Sequence, residues 1–282
     1  MNEFLTAKRT IYPSVFRVLI GFILLFDLIF SFSFASIYFN PEYNSLLSSG
    51  KFFSIISANY KLFFVFYGLV LIGFILGVFK NLISFLVWIC YLIWFNLNYS
   101  VTVWGDTILM YSLFYFVFAD SFRYLSLSQS KNKYSFLSKL AVWSVILNIF
   151  MVYLNNAYYK ILGTQWQDGV AVFYSFSHYD QFTESILYPL VTNSFFSGLI
   201  GYFIILQQLL FVPFVIWKKT RFPILILSTI IHLTMLIQFG LYKFELIIIL
   251  HYGFLLNDEE IQRILSFFRI QKYFDGGRIK SS

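Results

Sequence analysis

Cysteine is almost absent from this chain of 282 residues: Cys90 stands alone, inside an apolar run. An intrachain disulfide and a cysteine-based metal site are therefore excluded. Charge is scarce as well. Only 12% of the residues are charged, against about 25% in an ordinary soluble domain. Histidine occurs 3 times, at widely separated positions. No small-x-small cleavage site follows the first apolar segment, so that segment reads as a span and not as a removable signal peptide. No serine stands in a nucleophile motif with a positioned histidine and acid, which argues against hydrolase chemistry. A transporter is disfavoured too, because the chain shows no inverted repeat and no matched pair of broken helices.

Apolar residues are plentiful. They make up 59% of the chain, and mean hydropathy is +0.75. A water-soluble globule of this size could not hide so much apolar surface, so the class is an integral membrane protein with several spans. The lipid bilayer is then the first partner. Net charge is +7, but in a membrane protein this excess is read against topology before any polyanion, and nucleic-acid binding is excluded. Aromatic residues reach 23%, with 38 Phe. Asn, Lys and Ile are abundant alongside them, as AT-rich coding produces, so Phe alone does not mark a binding site.

A span needs about 20 apolar residues. The pattern predicts an all-α, polytopic transmembrane bundle of about eight helices: 15–39, 62–79, 82–97, 107–119, 140–159, 195–217, 222–240 and 244–256. The fourth and eighth are short. Residues 1–256 read as one transmembrane domain and 257–282 as a short basic cytoplasmic tail with an interfacial helix. With both termini in the cytoplasm, all but four of the 20 Lys and Arg residues fall on the cytoplasmic side; Lys51, Lys61, Lys160 and Lys243 face outside. That asymmetry follows the positive-inside rule. Two outer connections, 40–61 and 160–194, are longer than a hairpin needs. Long loops of this kind are functional or disordered. The second is too aromatic for disorder and is expected to fold back as a cap or re-entrant segment.

Ionisable residues inside spans are costly, and each is a functional candidate. Asp27 lies about 18 Å into the first span and His232 about 15 Å into the seventh, from the same side. Gln207, Gln208, Asn148 and His251 are also within spans. The two Gln and Asn148 read first as interhelical hydrogen bonds. Asp27 and His232 are open between that role and a paired proton-relay or quinol head-group site. Arg17, near a helix start, is expected to snorkel to the head groups. On the outer side, Tyr153, Asn156 and Lys160 are spaced i, i+3, i+7 on one helical face. Burial disfavours the charged ammonium, and a neutral amine can act as a base. The plainer alternative is an interfacial lysine anchoring a helix end beside Trp and Tyr. His178, Asp180 and Glu184 read as a solvated polar loop before they read as a cation site.

The order of these features resembles a known family. "FRVLIGFILLFD" (16–27) is similar to its opening Arg-Gly-Asp pattern. "NYSVTVWGDTILMYSLFYFVFAD" (98–120), with Asp106, resembles its Gly-Asp before a helix. "YYKILGTQWQDGVAVFYSF" (158–176) is similar to its Lys, then Gly and Trp, then Asp-Gly-x-Ala, here Lys160, Trp166, Asp168 and Gly169. The segment around His232, with Phe244 after a short turn, follows in family order. The chain thus resembles the HTTM domain, the membrane domain shared with vitamin K-dependent gamma-carboxylase, over roughly 16–256.

In the carboxylases of that family, O2 oxidises a reduced quinone, the base so formed takes a proton from glutamate, and the carbanion attacks CO2. The resemblance implies a reduced quinone of menaquinol type as cofactor. It gives Lys160 the deprotonating role, with His232 supporting it. Asp27, Asp106, Asn156, Trp166, Asp168 and Gly169 become candidates for substrate or cofactor binding. The site would face outside in a bacterial plasma membrane, acting on a secreted peptide or protein. Two departures bear on this. Gln207-Gln208 stand where the family's sixth helix often has glutamate, and the chain stops about 25 residues after its last span, without the carboxylases' large lumenal domain. Short members of the sporulation-delaying-protein B group, similar in size and topology, imply the alternative of a non-catalytic partner in peptide maturation or export.

Overall fold

The computed structural model describes residues 2–40, 42, 51–97, 104–129, 135–177 and 185–268. All the regular structure among them is helical. Eight principal helices correspond to the eight expected segments: α1 (Tyr12–Phe32), α2 (Tyr60–Leu76), α3 (Asn81–Leu97), α4 (Trp104–Phe116), α5 (Phe136–Leu162), α6 (Ser194–Ile216), α7 (Lys218–Phe239) and α8 (Tyr242–His251). Shorter helices lie between and beyond them, which raises the helix count above the expected eight. One of these, Lys51–Ala58, precedes α2 and meets it at 87°.

The helix ends follow local chemistry. Pro13 occupies the first turn of α1, where its missing N–H costs nothing. Gly77 ends α2 at φ 71° and Gly240 ends α7 at φ 63°, the left-handed conformation that glycine adopts without strain. Asn193 caps α6 by accepting from the Phe195 and Phe196 amides at 3.1 and 3.3 Å, which satisfies two orphan donors.

By length and apolarity, α1, α5, α6 and α7 are able to cross a membrane, and α2 with the bent helix before it would make a fifth. α3, with 17 residues, and α4, with 13, fall short of that length. Phe22, Phe26, Ile29 and Phe30 on α1, and Ile226, Ile230, Leu233 and Ile237 on α7, are exposed large apolar side chains. Faces of this kind suit lipid, not water. The chain is a membrane-embedded helical bundle. α5 is the longest helix, and Lys139 and Lys160 stand about 31 Å apart along it, close to the hydrocarbon thickness of a bilayer.

The chain divides into two compact units. The first comprises Ala7–Ile146 with Leu250–Ser282, the second Met1–Thr6 with Leu147–Ile249. In the first unit α1 packs on α2, α2 on α3 and α3 on α4. Phe16 lies at the centre, with ring contacts to Phe116, His251 and Phe254 at 4.9–5.0 Å. His251 is fully buried, its Nε2 2.8 Å from the Ser112 hydroxyl. Asp258 accepts from the Thr10 and Ile11 amides at 2.7 and 3.0 Å, so the start of α1 is held by a residue 248 positions later in the chain.

Arg17 does not snorkel. Its side chain is fully buried and donates to backbone carbonyls: Nε to Ser121 at 3.0 Å, Nη1 to Ile75 at 2.8 Å and to Phe74, and Nη2 to Leu125. The Phe122 ring covers the guanidinium at 5.0 Å. The last carbonyls of α2 have no intrahelical partner and carry the negative end of the helix dipole. They provide a better acceptor set inside the unit than the sequence position suggested.

The second unit contains most of α5, then α6, α7 and most of α8. The described part of the 160–194 connection forms three short helices, Thr164–Gln167, Ala171–Ser177 and Tyr188–Thr192. Val172, Phe176 and Val191 form a small core there, packed by Trp166, Phe173, Leu187, Ile200, Ile204 and Phe239. The connection therefore folds back on α6 and α7 as a cap.

Candidate functional site

Three helices of the second unit converge on His232. It lies on α7, and beyond the turn at Gly240 Glu245, in the first turn of α8, meets the imidazole: His232 Nδ1 is bonded to Glu245 Oε2. On the other edge, His232 Nε2 is 3.1 Å from the Tyr153 hydroxyl of α5. The Tyr153 ring stacks on Phe211 of α6 at 3.6 Å with an interplanar angle of 5°. Phe244 meets the imidazole edge-on at 6.4 Å. Glu245 is 0% exposed and His232 14%. Glu245 Oε1 is buried without a hydrogen-bond partner, as is Gln208 Oε1.

Both ring nitrogens of His232 are thus engaged within the unit. Within its unit the carboxylate partner of His232 is Glu245; Asp27, the partner the sequence suggested, belongs to the other unit. Gln207 behaves as expected of a polar residue between helices, its amide donating to the Ser228 hydroxyl at 2.6 Å.

Lys160 stands two turns beyond Tyr153 on α5, about 10 Å along the axis. Its ammonium lies over the Trp166 ring, 5.0 Å from the centroid. The two groups form separate tiers on one side of α5, Tyr153 with His232 and Glu245 in one, Lys160 with Trp166 in the other. Asn156 is exposed, because a step of i+3 turns it about 60° from Tyr153, whereas i+7 brings Lys160 back to within about 20°.

The cap explains two further candidates. Gly169 has φ 74°, and a Cβ there would sit 3.1 Å from Gly198 Cα. Its invitation to glycine is therefore backbone geometry: a left-handed turn pressed against α6. Asp168, next to it, is exposed. Three side-chain bonds tie the cap to α6 and α7: Tyr202 hydroxyl to Gln167 carbonyl at 2.6 Å, Phe173 amide to Ser197 hydroxyl at 3.3 Å and Ser185 hydroxyl to Gln238 Oε1 at 2.5 Å.

Asp27 and Asp106 belong to the first unit. Asp106 is buried in the first turn of α4 and accepts from the Tyr91 hydroxyl at 2.8 Å. Asp27 is half-buried on α1. His178, Asp180 and Glu184 lie outside the described residues. Among the described residues, no group of three His, Cys, Asp or Glu is placed to hold a metal ion.

Glu245 is the functional candidate that sequence reading passed over. Its signal was present, an acidic residue opening an apolar run, "FELIIIL". It sits beside Lys243 at a span boundary, and a boundary carboxylate reads as solvated until the fold is seen to bury it.

No family model, curated protein or solved structure matches the chain.

Proposed function

We propose that this chain is an HTTM-type, multi-pass protein of a bacterial plasma membrane, with both termini in the cytoplasm, and that its second unit carries out proton chemistry on an extracytoplasmic peptide or protein, coupled to a reduced quinone. The observation that carries this reading is His232, held within the helical unit between a buried carboxylate and a phenol. Ionisable groups are expensive in such surroundings and mark proton or ligand handling. The lysine and arginine asymmetry supports the orientation, which puts Lys160 on the outer side.

The residues present suit a phenolic head group. Tyr153 and Phe211 cover each other and brace His232, while the Phe244 ring and Glu245 Oε1, a buried acceptor with no partner, are the groups that such a head group would use. When bound, a reduced quinone would supply electrons and protons. His232 accepts or returns a proton at Nε2. Lys160, at the outer end of α5, serves as the base that the family resemblance assigns to it, and Trp166 positions its amine. The cap around Asp168 and Gly169 offers the surface that a peptide would meet.

The test uses the full chain in lipid nanodiscs with reduced menaquinone-4 under O2, following quinol absorbance. Wild type should oxidise quinol faster than empty discs, and Lys160→Ala and His232→Ala should each lower the rate at least tenfold while thermal unfolding shows intact protein. Rates equal to empty discs, or unchanged in both variants, would sink the proposal.

One observation favours a second reading, a non-catalytic partner in maturation or export of a secreted peptide. The contact of Lys160 with Trp166 is one that a charged amine makes, as an anchor at a helix end would. A photo-crosslinker at Asp168 that captures a co-expressed secreted peptide, with maturation surviving Lys160→Ala, would select this reading.

A further inference from the structure

The directions of the bonds around His232 follow its tautomer, and an ionised Glu245 would select one: a carboxylate oxygen can only accept, so Nδ1 would donate to Oε2 and Nε2 would accept from the Tyr153 hydroxyl. Each ring nitrogen has a partner, and the three side chains come from three helices: α5, α7 and α8. From α6, the group facing Tyr153 is the apolar ring of Phe211. The tautomer of a histidine is set by the bond its other nitrogen makes, and Glu245 is the residue that sets it.

We propose that Tyr153, His232 and Glu245 form a proton-transfer chain in which Tyr153 is the acid–base group and Glu245 the positioning residue. The transfer balances without a co-reactant. Tyr153 gives its hydroxyl proton to His232 Nε2, and Nδ1 gives its proton to Glu245 Oε2. The chain begins with a carboxylate, a neutral imidazole and a phenol. It ends with a carboxyl, the other neutral tautomer and a phenolate. It holds one negative charge throughout and moves that charge from α8 to α5, so no uncompensated charge is created in surroundings where that would be costly. The phenolate then takes a proton from a ligand bearing an O–H or N–H group. The proton displaced along the chain then rests on the buried Glu245 carboxyl, and it returns by the same bonds when the ligand is reprotonated. This assignment rests on the second unit being the seat of proton chemistry, as argued above. It adds Tyr153 as an acid–base group within the unit, beside the role given to Lys160.

The test is nuclear magnetic resonance of the full chain in nanodiscs, labelled with 15N-histidine. With 3 histidines, the ring signals can be resolved, and His232→Gln assigns those of His232. The expected wild-type pattern is a protonated Nδ1 and an unprotonated Nε2. Glu245→Gln should mix the tautomers. Tyr153→Phe should shift Nε2 toward the position of a nitrogen without a hydrogen bond. Fluorotyrosine, a more acidic phenol, should move the Nε2 signal toward the protonated position in wild type and leave it in place in Tyr153→Phe. An Nε2-protonated tautomer in wild type, or an Nε2 signal indifferent to fluorotyrosine, would overturn the proposal. Should Glu245→Gln fail to fold, the Tyr153→Phe and fluorotyrosine arms decide it alone. None of these signals needs turnover, so a silent quinol assay beside the expected spectra would reject the proposed function and keep the chain, and the reverse pattern would reject the chain alone.

Discussion

Glu245 and His232 are 13 residues apart, on either side of the turn between α7 and α8, and their side chains bond where neither faces water freely. The pair depends on the turn at Gly240, since a straight continuation of α7 would carry residue 245 away from the imidazole.

Removing the carboxylate therefore exposes the pair's worth. Glu245→Ala should destabilise the protein by about 2–3 kcal/mol, the cost of losing a charged hydrogen bond and leaving a buried donor unpaired. Glu245→Gln keeps an acceptor for Nδ1 and should lose less. Thermal unfolding in nanodiscs compares the two, and equal losses would contradict the assignment of the bond.

Arg17 gives a second test. Arg17→Ala removes the guanidinium donor from the carbonyls of Ile75, Ser121 and Leu125 and leaves Phe74 with the Gly77 amide. A loss of about 3–5 kcal/mol is expected, in the range found when one side of a buried polar cluster is deleted. Arg17→Lys cannot reproduce the planar fork and should recover only part of it. Folded yield on size exclusion, with unfolding in denaturant, measures both.

The cap offers a contrast between two glycines. Gly169→Ala meets both a positive φ and Gly198 Cα at 3.1 Å, and should loosen the cap by about 1–2 kcal/mol. Gly198→Ala finds its nearest neighbour at 3.7 Å, an ordinary contact, and should be tolerated. Protease nicking between residues 160 and 194 should rise in the first variant alone.

Orientation is open to direct labelling. Cys90 is buried and the sole cysteine, so Cys90→Ser, a near-isosteric change, gives a clean background. Single cysteines at Lys61 and Lys160 should react with an impermeant maleimide in intact cells, and those at Lys139 and Lys219 only after permeabilisation. The opposite pattern would overturn the proposed topology.

Much of the fold was legible because each segment is apolar over enough residues to leave few choices. α5, α6 and α7 begin and end within a few residues of their expected bounds. The end of α1 was not legible: Phe34, Ile37 and Phe39 carry the apolar run past Phe32, where the helix ends. Arg17 was misjudged because snorkelling is the default for a lysine or arginine near a helix end, and the rival acceptors, the carbonyls at the end of α2, lie 57 and 58 positions away. His232 was legible as an isolated ionisable group. Its partners were not, since hydrophobic periodicity identifies a buried face but not which polar atoms meet across it. The carboxylate that bonds the imidazole is the one just past the turn at Gly240.

The bonds from Thr10 and Ile11 to Asp258 also constrain how the protein is made. The first unit uses residues from both sides of the second, which is translated between them. α1 through α4 leave the ribosome early, but the cap on α1 and the Phe254 ring against Phe16 arrive only after some 250 residues have been synthesised. Membrane insertion must hold those helices in an unfinished state, so termination between residues 116 and 254 would leave α1 to α4 without that closure, for quality control to clear.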